Sequence, residues 1–293
     1  MVTVRAPATS ANLGSGFDVF GVALDRPADY VRAEPADRTT IDITGVGSQY
    51  IPEDPEKNVI GAVAAELGVT ADIHLDNGVR PASGLGSSAA SAAGAALALN
   101  EAFDLGYTRR ELVPVAAEGE AIVAGEPHAD NVAPALLGGF TIVREDGVTR
   151  IDAQLSLVAC LPETVISTGD ARGVVPESVA LSAVVETIGS AATLVTGMHR
   201  NDPELVGRGM HDEIVTPTRS ALIDGYEAVA DAAMAAGATG VTVSGAGPAM
   251  LAVCYEGDRR SVAGAMIDAF DDVGMDARGF QTGIGGGATV LEE

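Results

Sequence analysis

The segment that most constrains this chain is Pro81-Ala82-Ser83-Gly84-Leu85-Gly86-Ser87-Ser88-Ala89-Ala90-Ser91. It lies between residues 71–75, which read as a strand, and residues 89–103, an Ala- and Leu-rich run without proline that reads as a helix. Glycine lets a backbone enter the left-handed region and lets a ligand come close. The first turn of a helix carries unpaired N–H groups and a partial positive charge, which attract phosphate. Ser87 and Ser88 add hydroxyls that serve as helix caps or as ligands to phosphate and a divalent cation. The segment is not the lysine-bearing phosphate loop G-x-x-x-x-G-K-[ST]. No lysine follows it, and the single lysine of the chain is Lys57. By itself the stretch also fits a serine-capped helix after a glycine turn.

Two further glycine-bearing segments lie far from it in sequence. Residues 2–6 alternate and read as a strand, and Ala6-Pro7-Ala8-Thr9-Ser10-Ala11-Asn12-Leu13-Gly14-Ser15-Gly16-Phe17-Asp18-Val19-Phe20-Gly21 follows as a polar loop. It sets the amide of Asn12 and the carboxylate of Asp18 six residues apart. Near the C-terminus, Val243-Ser244-Gly245-Ala246-Gly247-Pro248 separates two strand-like runs. Each alone also fits a surface loop or a β-turn. Elsewhere the pattern predicts strands over 30–34, 40–43, 139–143, 155–161, 240–243, 249–254 and 276–282. It predicts helices over 59–67, 111–124, 177–188, 190–198, 203–209, 219–236 and 259–270. Such a mixture indicates an α+β fold. The polar stretch 144–150 is the expected boundary between a domain over 1–150 and a second over 151–293.

Charge narrows the setting. Seventeen basic residues face 41 acidic ones, a net charge of −24 spread along the chain. Such a surface repels itself at low salt and suits a salt-rich cytoplasm. It disfavours nucleic acid and anionic membrane, which call for basic patches. The two cysteines, Cys160 and Cys254, sit in apolar stretches and read as buried thiols rather than a zinc site. No charged-then-apolar leader opens the chain and no run of 18 apolar residues occurs, so a soluble cytoplasmic protein is expected.

Together the three glycine segments resemble the GHMP kinases (galactokinase, homoserine kinase, mevalonate kinase, phosphomevalonate kinase). The family's Pro-x-x-x-Gly-Leu-Gly-Ser-Ser-Ala motif is resembled by residues 81–89 with a slightly shorter lead-in, and its C-terminal glycine-rich turn by residues 244–248. Within the family the chain is most similar to the homoserine kinase branch. The similarity rests on Thr9-Ser10-Ala11-Asn12-Leu13-Gly14 with Gly16-Phe17-Asp18, on His128-Ala129-Asp130-Asn131-Val132-Ala133-Pro134 with Gly138-Gly139, and on Ser167-Thr168-Gly169-Asp170-Ala171-Arg172.

The resemblance implies a two-domain fold, with an N-terminal ribosomal-protein-S5-like α/β domain that binds ATP and a C-terminal ferredoxin-like domain. It implies ATP-dependent phosphorylation of L-homoserine with Mg²⁺, a step of threonine biosynthesis, in a homodimer. ATP would lie on the loop, residues 81–91, with Asn58 near the nucleotide. Mg²⁺ would be held by Ser88 and Glu120. Homoserine would meet Asn12, Asp18, His128, Asn131, Arg172, Arg219 and Gly245. Asp18 is suited to an ammonium, and two arginines to a carboxylate. Related chains often carry lysine shortly before the loop, where this one has Asn77, which supplies no cation.

The resemblance sets Ser88, Glu120, Asp130 and Asn131 at the reaction: some family members place an aspartate beside the attacking hydroxyl, and Asp130 falls in that segment, while in the homoserine kinase branch the neighbouring Asn131, which cannot accept a proton, would face the substrate. Proton transfer to the γ-phosphate, with Asn131 and Asp18 orienting the hydroxyl, is the favoured route. A kinase of the same fold acting on mevalonate, shikimate or a sugar, and a non-catalytic sensor of nucleotide or metabolite, are the competing readings.

Overall fold

The computed structural model describes residues 1–125 and 128–292. The first half runs β1 (Val2–Ala11), β2 (Phe20–Pro35), β3 (Thr40–Gly45), α1 (Val59–Glu66), β4 (Ala71–Asn77), α2 (Ser87–Ala102), α3 (Arg109–Ala124), α4 (Val132–Leu137), β5 (Phe140–Arg144) and β6 (Gly147–Ile151). The second runs β7 (Ser156–Pro162), α5 (Thr168–Gly173), α6 (Leu181–Arg200), α7 (Pro203–Gly209), α8 (Thr216–Ser220), α9 (Tyr226–Ala235), β8 (Ala238–Val243), β9 (Met250–Cys254), α10 (Arg259–Asp272), β10 (Ala277–Gly283) and β11 (Thr289–Glu292).

The first sheet has the order β11-β1-β2-β4-β3, with β5 and β6 attached to the start of β2. Among the described residues only β3 and β4 pair in parallel. The centre of this half is α2, whose residues from Ala89 to Asn100 are all buried. A helix enclosed on every side needs small apolar residues all round, which explains its alanine content. Gly94 is where it lies closest to the sheet: a Cβ there would stand 2.7 Å from Val31 Cγ2. The second sheet is antiparallel in the order β10-β7-β9-β8. Taking β7 to β10 as strands one to four, this is the 4-1-3-2 arrangement of a ferredoxin-like domain. Helices α9 and α10 cover one face with Val229, Ala233, Val262, Met266 and Phe270. The other face adds Leu157, Ala159, Leu251 and Val253 to the core of the first half, so one apolar core runs through both sheets.

Several expected boundaries differ. Residues 144–150 form most of the β5–β6 hairpin, and the chain crosses to the second sheet after β6. The two helices expected over 177–198 are the single α6, because one glycine at 189 costs a helix only about 1 kcal/mol. The single helix expected over 219–236 is two. Gly225 takes a left-handed conformation and caps α9, while Asp212 accepts from the backbone N–H groups of Ile214, Val215 and Thr216 ahead of α8. Strand β11, absent from the pattern, returns the C-terminus to the edge of the first sheet beside β1. Helix α6, at 20 residues, is long and apolar enough to cross a membrane by length and composition. Its C-terminal part is packed in the protein, with Leu194, Gly197 and Met198 buried.

The acidic excess has a direct consequence. At low ionic strength its self-repulsion is unscreened over tens of ångströms; in molar salt the screening length is about 3 Å. The ion pairs, such as Arg144–Asp146 and Lys57–Asp54, lie at the surface and offset little of it. The melting temperature is expected to fall by roughly 10 °C or more from molar KCl to dilute buffer, equivalent to a few kcal/mol. Equal melting temperatures in the two buffers would contradict this.

Candidate active site

The three glycine segments converge. Gly84 has φ +80°, and a Cβ there would come within 2.5 Å of the Ser244 carbonyl oxygen and 2.8 Å of that of Gly247. Ser244 Oγ donates to the Gly84 carbonyl at 2.7 Å and stands 2.8 Å from Ser10 Oγ. The Gly245 N–H donates to the Ala11 carbonyl, and Asn12 Nδ2 to that of Gly245. These bonds join β1, the loop before α2 and the β8–β9 turn at one end of the molecule. They border a cleft of about 470 Å³.

On one side of the cleft Gly86, with φ +66°, caps α2 without a side-chain bond to the first-turn N–H groups. The start of this helix is therefore open to an anion. Ser88 Oγ donates to Glu120 Oε2 at 3.0 Å. Glu120 Oε1 is buried and has no hydrogen-bond partner among the described residues. Burial pushes the Glu120 carboxyl up to about 7 and the nearby Asp130 adds to the rise, while the Ser88 hydroxyl opposes it. No group of three or more His, Cys, Asp or Glu side chains suited to a metal occurs among the described residues. One carboxylate and one hydroxyl at a helix start without a side-chain cap do fit Mg²⁺, which draws most of its ligands from water and nucleotide phosphates.

The same cleft is lined by Asp18, whose Oδ2 accepts from Arg172 Nη1 at 2.6 Å, and Arg172 Nη2 lies 2.9 Å from His128 Nε2. Arg219 is 6% exposed. It donates from Nε to the Ala171 carbonyl and from Nη1 to the Gly245 carbonyl. Asn131 Oδ1 accepts from Thr9 Oγ1 at 2.8 Å, which turns its Nδ2 toward Asp130 Oδ1 at 3.4 Å. Burial first, and then the Asp18 charge, push the Asp130 carboxyl up to about 6, against the pull of His128 and Arg172.

Family models for the GHMP kinases N terminal domain and the GHMP kinases C terminal region match residues 56–139 and 194–272. The chain belongs to the GHMP kinases. It is 68% identical over 291 residues to a homoserine kinase of Haloarcula marismortui, covering 99% of this chain and 100% of that one. It is 65% identical over 293 residues to one of Halorubrum lacusprofundi, covering both fully. Among solved structures, the homoserine kinase from Cytophaga hutchinsonii matches with a TM-score of 0.91 at 37% identity, over 99% of this chain and 97% of that one. The L. major mevalonate kinase in complex with R-mevalonate shares the fold, with a TM-score of 0.76 at 15% identity over 96% and 95% of the two chains. As a GHMP kinase this chain is an ATP-dependent phosphotransferase.

Within this GHMP kinase most residues singled out from the sequence line the one cleft: Asn12, Asp18, Asn58, residues 81–84, Gly86, Ser87, Ser88, Ser91, Glu120, His128, Asp130, Asn131, Arg172, Arg219 and Gly245. Leu85, Ala89 and Ala90 do not. Their side chains are buried in the core and hold the loop against it. Three others are engaged locally. Ser87 Oγ donates to the Val79 carbonyl. Asn58 caps α1 through Ile60 N–H and donates to the Pro52 carbonyl. Gly245 serves as the acceptor that holds Asn12 and Arg219. Asn77 is buried and donates to the Val46 and Val79 carbonyls, so it braces the strand end before the loop.

The sequence reading passed over Asp29. It is fully buried on β2, accepts from Gly78 and Val79 N–H through Oδ1, and accepts from Ser91 Oγ through Oδ2. One carboxylate thus ties both ends of the glycine-serine loop, and burial raises it to about 7. A single acid in the strand segment Pro27-Ala28-Asp29-Tyr30 gives no local sign of this. Thr9 and Phe17 act through partners distant in sequence, Asn131 for the one and Arg172 and Arg219 for the other.

Proposed function

We propose that this GHMP kinase transfers the γ-phosphoryl group of ATP to the side-chain hydroxyl of L-homoserine, in the cytoplasm of a salt-adapted cell. The observation that carries the reading is the pairing of Asp18 with Arg172, beside Arg219, in the same cleft as the open start of α2. A zwitterionic amino acid offers one ammonium and one carboxylate, and it can replace that internal pair with two pairs of its own. The 68% and 65% identical relatives named homoserine kinases support the same acceptor.

The loop amides and the start of α2 would hold the β- and γ-phosphates. Ser88 and Glu120 would hold Mg²⁺, which when bound neutralises phosphate charge. Asp18 would orient the ammonium, Arg172 and Arg219 the carboxylate, and Asn131 the hydroxyl. The hydroxyl oxygen forms a bond to γ-phosphorus in line as the bond to the bridging oxygen of ADP breaks, and its proton passes to the transferred phosphoryl group. This is catalysis by positioning and charge neutralisation.

A second route has an observation of its own. Asp130 lies in the cleft with its carboxyl raised to about 6, so it is ionised and able to accept a proton at neutral pH. Asp130→Asn separates the two. The substrate-assisted route predicts less than about a 10-fold change in kcat. A fall of about 10²–10⁴, the usual worth of a general base, would establish Asp130 as the base. Wild type would then lose kcat on acidification through pH ~6, as Asp130 takes up its proton.

The acceptor is tested by coupled ADP release with a panel of alcohols in molar KCl. Turnover on homoserine and not on mevalonate, shikimate or galactose is expected. Turnover on mevalonate alone would assign another branch, and ligand binding without ADP would assign a sensor.

A further inference from the structure

Phe17 stands between the two arginines assigned to the substrate carboxylate. The Arg172 guanidinium carbon is 5.3 Å from the ring centroid and that of Arg219 is 4.9 Å from it. Both are within the roughly 6 Å at which a ring's quadrupole attracts a cation. Two guanidiniums on one ring also repel one another. Burial first, and Arg172 next, lower the affinity of Arg219 for its proton. Arg219 makes no ion pair among the described residues: its partners are two backbone carbonyls and the face of Phe17. The carboxylates of Asp18, Asp130 and Asp212 act on Arg219 without bonding to it, so a buried guanidinium whose direct partners are all neutral keeps a face for an anion.

We infer that Phe17 is the specificity-determining residue for the α-carboxylate of the acceptor, because its ring holds Arg172 and Arg219 together as one anion-binding pair. The inference rests on the reading that these arginines meet a carboxylate. Neither arginine bonds to residues 81–91 or to Glu120 among the described residues. Loss of the ring therefore acts on one substrate and not on the other. Phe17 is a positioning residue: it acts through the two arginines.

Phe17→Leu removes the quadrupole and keeps most of the apolar bulk, and Phe17→Tyr keeps the ring. The measurements are KM for homoserine, KM for ATP, and the inhibition constant of 3-aminopropan-1-ol, which is homoserine without its carboxylate. Phe17→Leu is expected to raise KM for homoserine by about 10-fold or more. KM for ATP and the inhibition constant of the decarboxylated analogue should stay within about 2-fold of wild type, with Phe17→Tyr close to wild type throughout. Equal weakening of homoserine and its decarboxylated analogue would overturn the inference, as would a joint rise of both KM values. If Phe17→Leu does not fold, a tyrosine variant with raised homoserine KM and unchanged ATP KM overturns it, and one matching wild type in all three constants supports it. Failure of wild type to use homoserine would instead remove the acceptor assignment.

Discussion

Replacing Glu120 with glutamine is expected to lower turnover by about 10²-fold or more and, at the same time, to make the ligand-free protein more stable above neutral pH. The two effects share one cause. Glu120 is held in a buried place with one carboxylate oxygen unpartnered. Its carboxyl titrates near 7 in the folded chain, against an ordinary value of 4.5. The folded state therefore keeps the proton longer than the unfolded state. Below about pH 4.5 both states are protonated and no penalty exists. Between 4.5 and 7 the unfolded chain gains its charge first and folding stability falls. Above 7 the penalty is complete and constant.

Glutamine can still accept from Ser88 but carries no charge. The stability gap should open from pH 4.5 to 7, reach about 1–3 kcal/mol, and stay level. Urea titrations at pH 5 and pH 8 in molar KCl, beside ADP-release assays, check both halves. A variant less stable than wild type at pH 8, or fully active, would contradict the assignment of Glu120 as a charge kept for a cation.

Gly86→Ala should abolish activity for a steric reason. Gly86 caps α2 with φ +66°, a conformation that costs an L-residue about 1–2 kcal/mol. Its new Cβ would also stand 2.0 Å from Thr9 Oγ1 and 3.1 Å from Asn131 Oδ1. Thr9 is fully buried and bonded to Asn131, so it has nowhere to retreat. Relief must come from the loop or from the Thr9–Asn131 pair, and either movement spoils the site. A destabilisation of about 2–4 kcal/mol is expected, with kcat/KM down by more than about 10². Gly68→Ala is the control. Gly68 has nearly the same φ, +67°, with nothing within 4 Å of its Cβ position. It should cost about 1 kcal/mol and leave kinetics unchanged. Equal behaviour of the two variants would refute the steric account.

What was legible in the sequence follows from range. The loop before α2, the alanine-rich helix and the exact span of α7 are set by neighbours in the chain, and their residues announce them. The long β2 strand was seen only over 30–34, because Asp25-Arg26-Pro27 interrupts its alternation midway. The break at Gly225 needed the tertiary setting to distinguish a cap from a tolerated glycine. The site divides in the same way. Ser88 and Glu120 came from a motif and a resemblance. The bond from Thr9 to Asn131 spans 122 residues, and that from Asn12 to Gly245 spans 233. Asp29 and Phe17 owe their roles to partners on other elements, which no local pattern discloses. The Asp18–Arg172 pair also adds something the residues alone did not say. The two groups expected to hold opposite ends of a zwitterion are bonded to each other.

The central claim is tested most directly by phosphorus NMR of the product formed from ATP and L-homoserine with Mg²⁺ in molar KCl. The account predicts one phosphomonoester resonance that grows in step with ADP, with the phosphorus coupled to the side-chain methylene protons. Growth of inorganic phosphate alone, or no change in ATP with homoserine where a different alcohol put in its place consumes ATP and is phosphorylated, would contradict it.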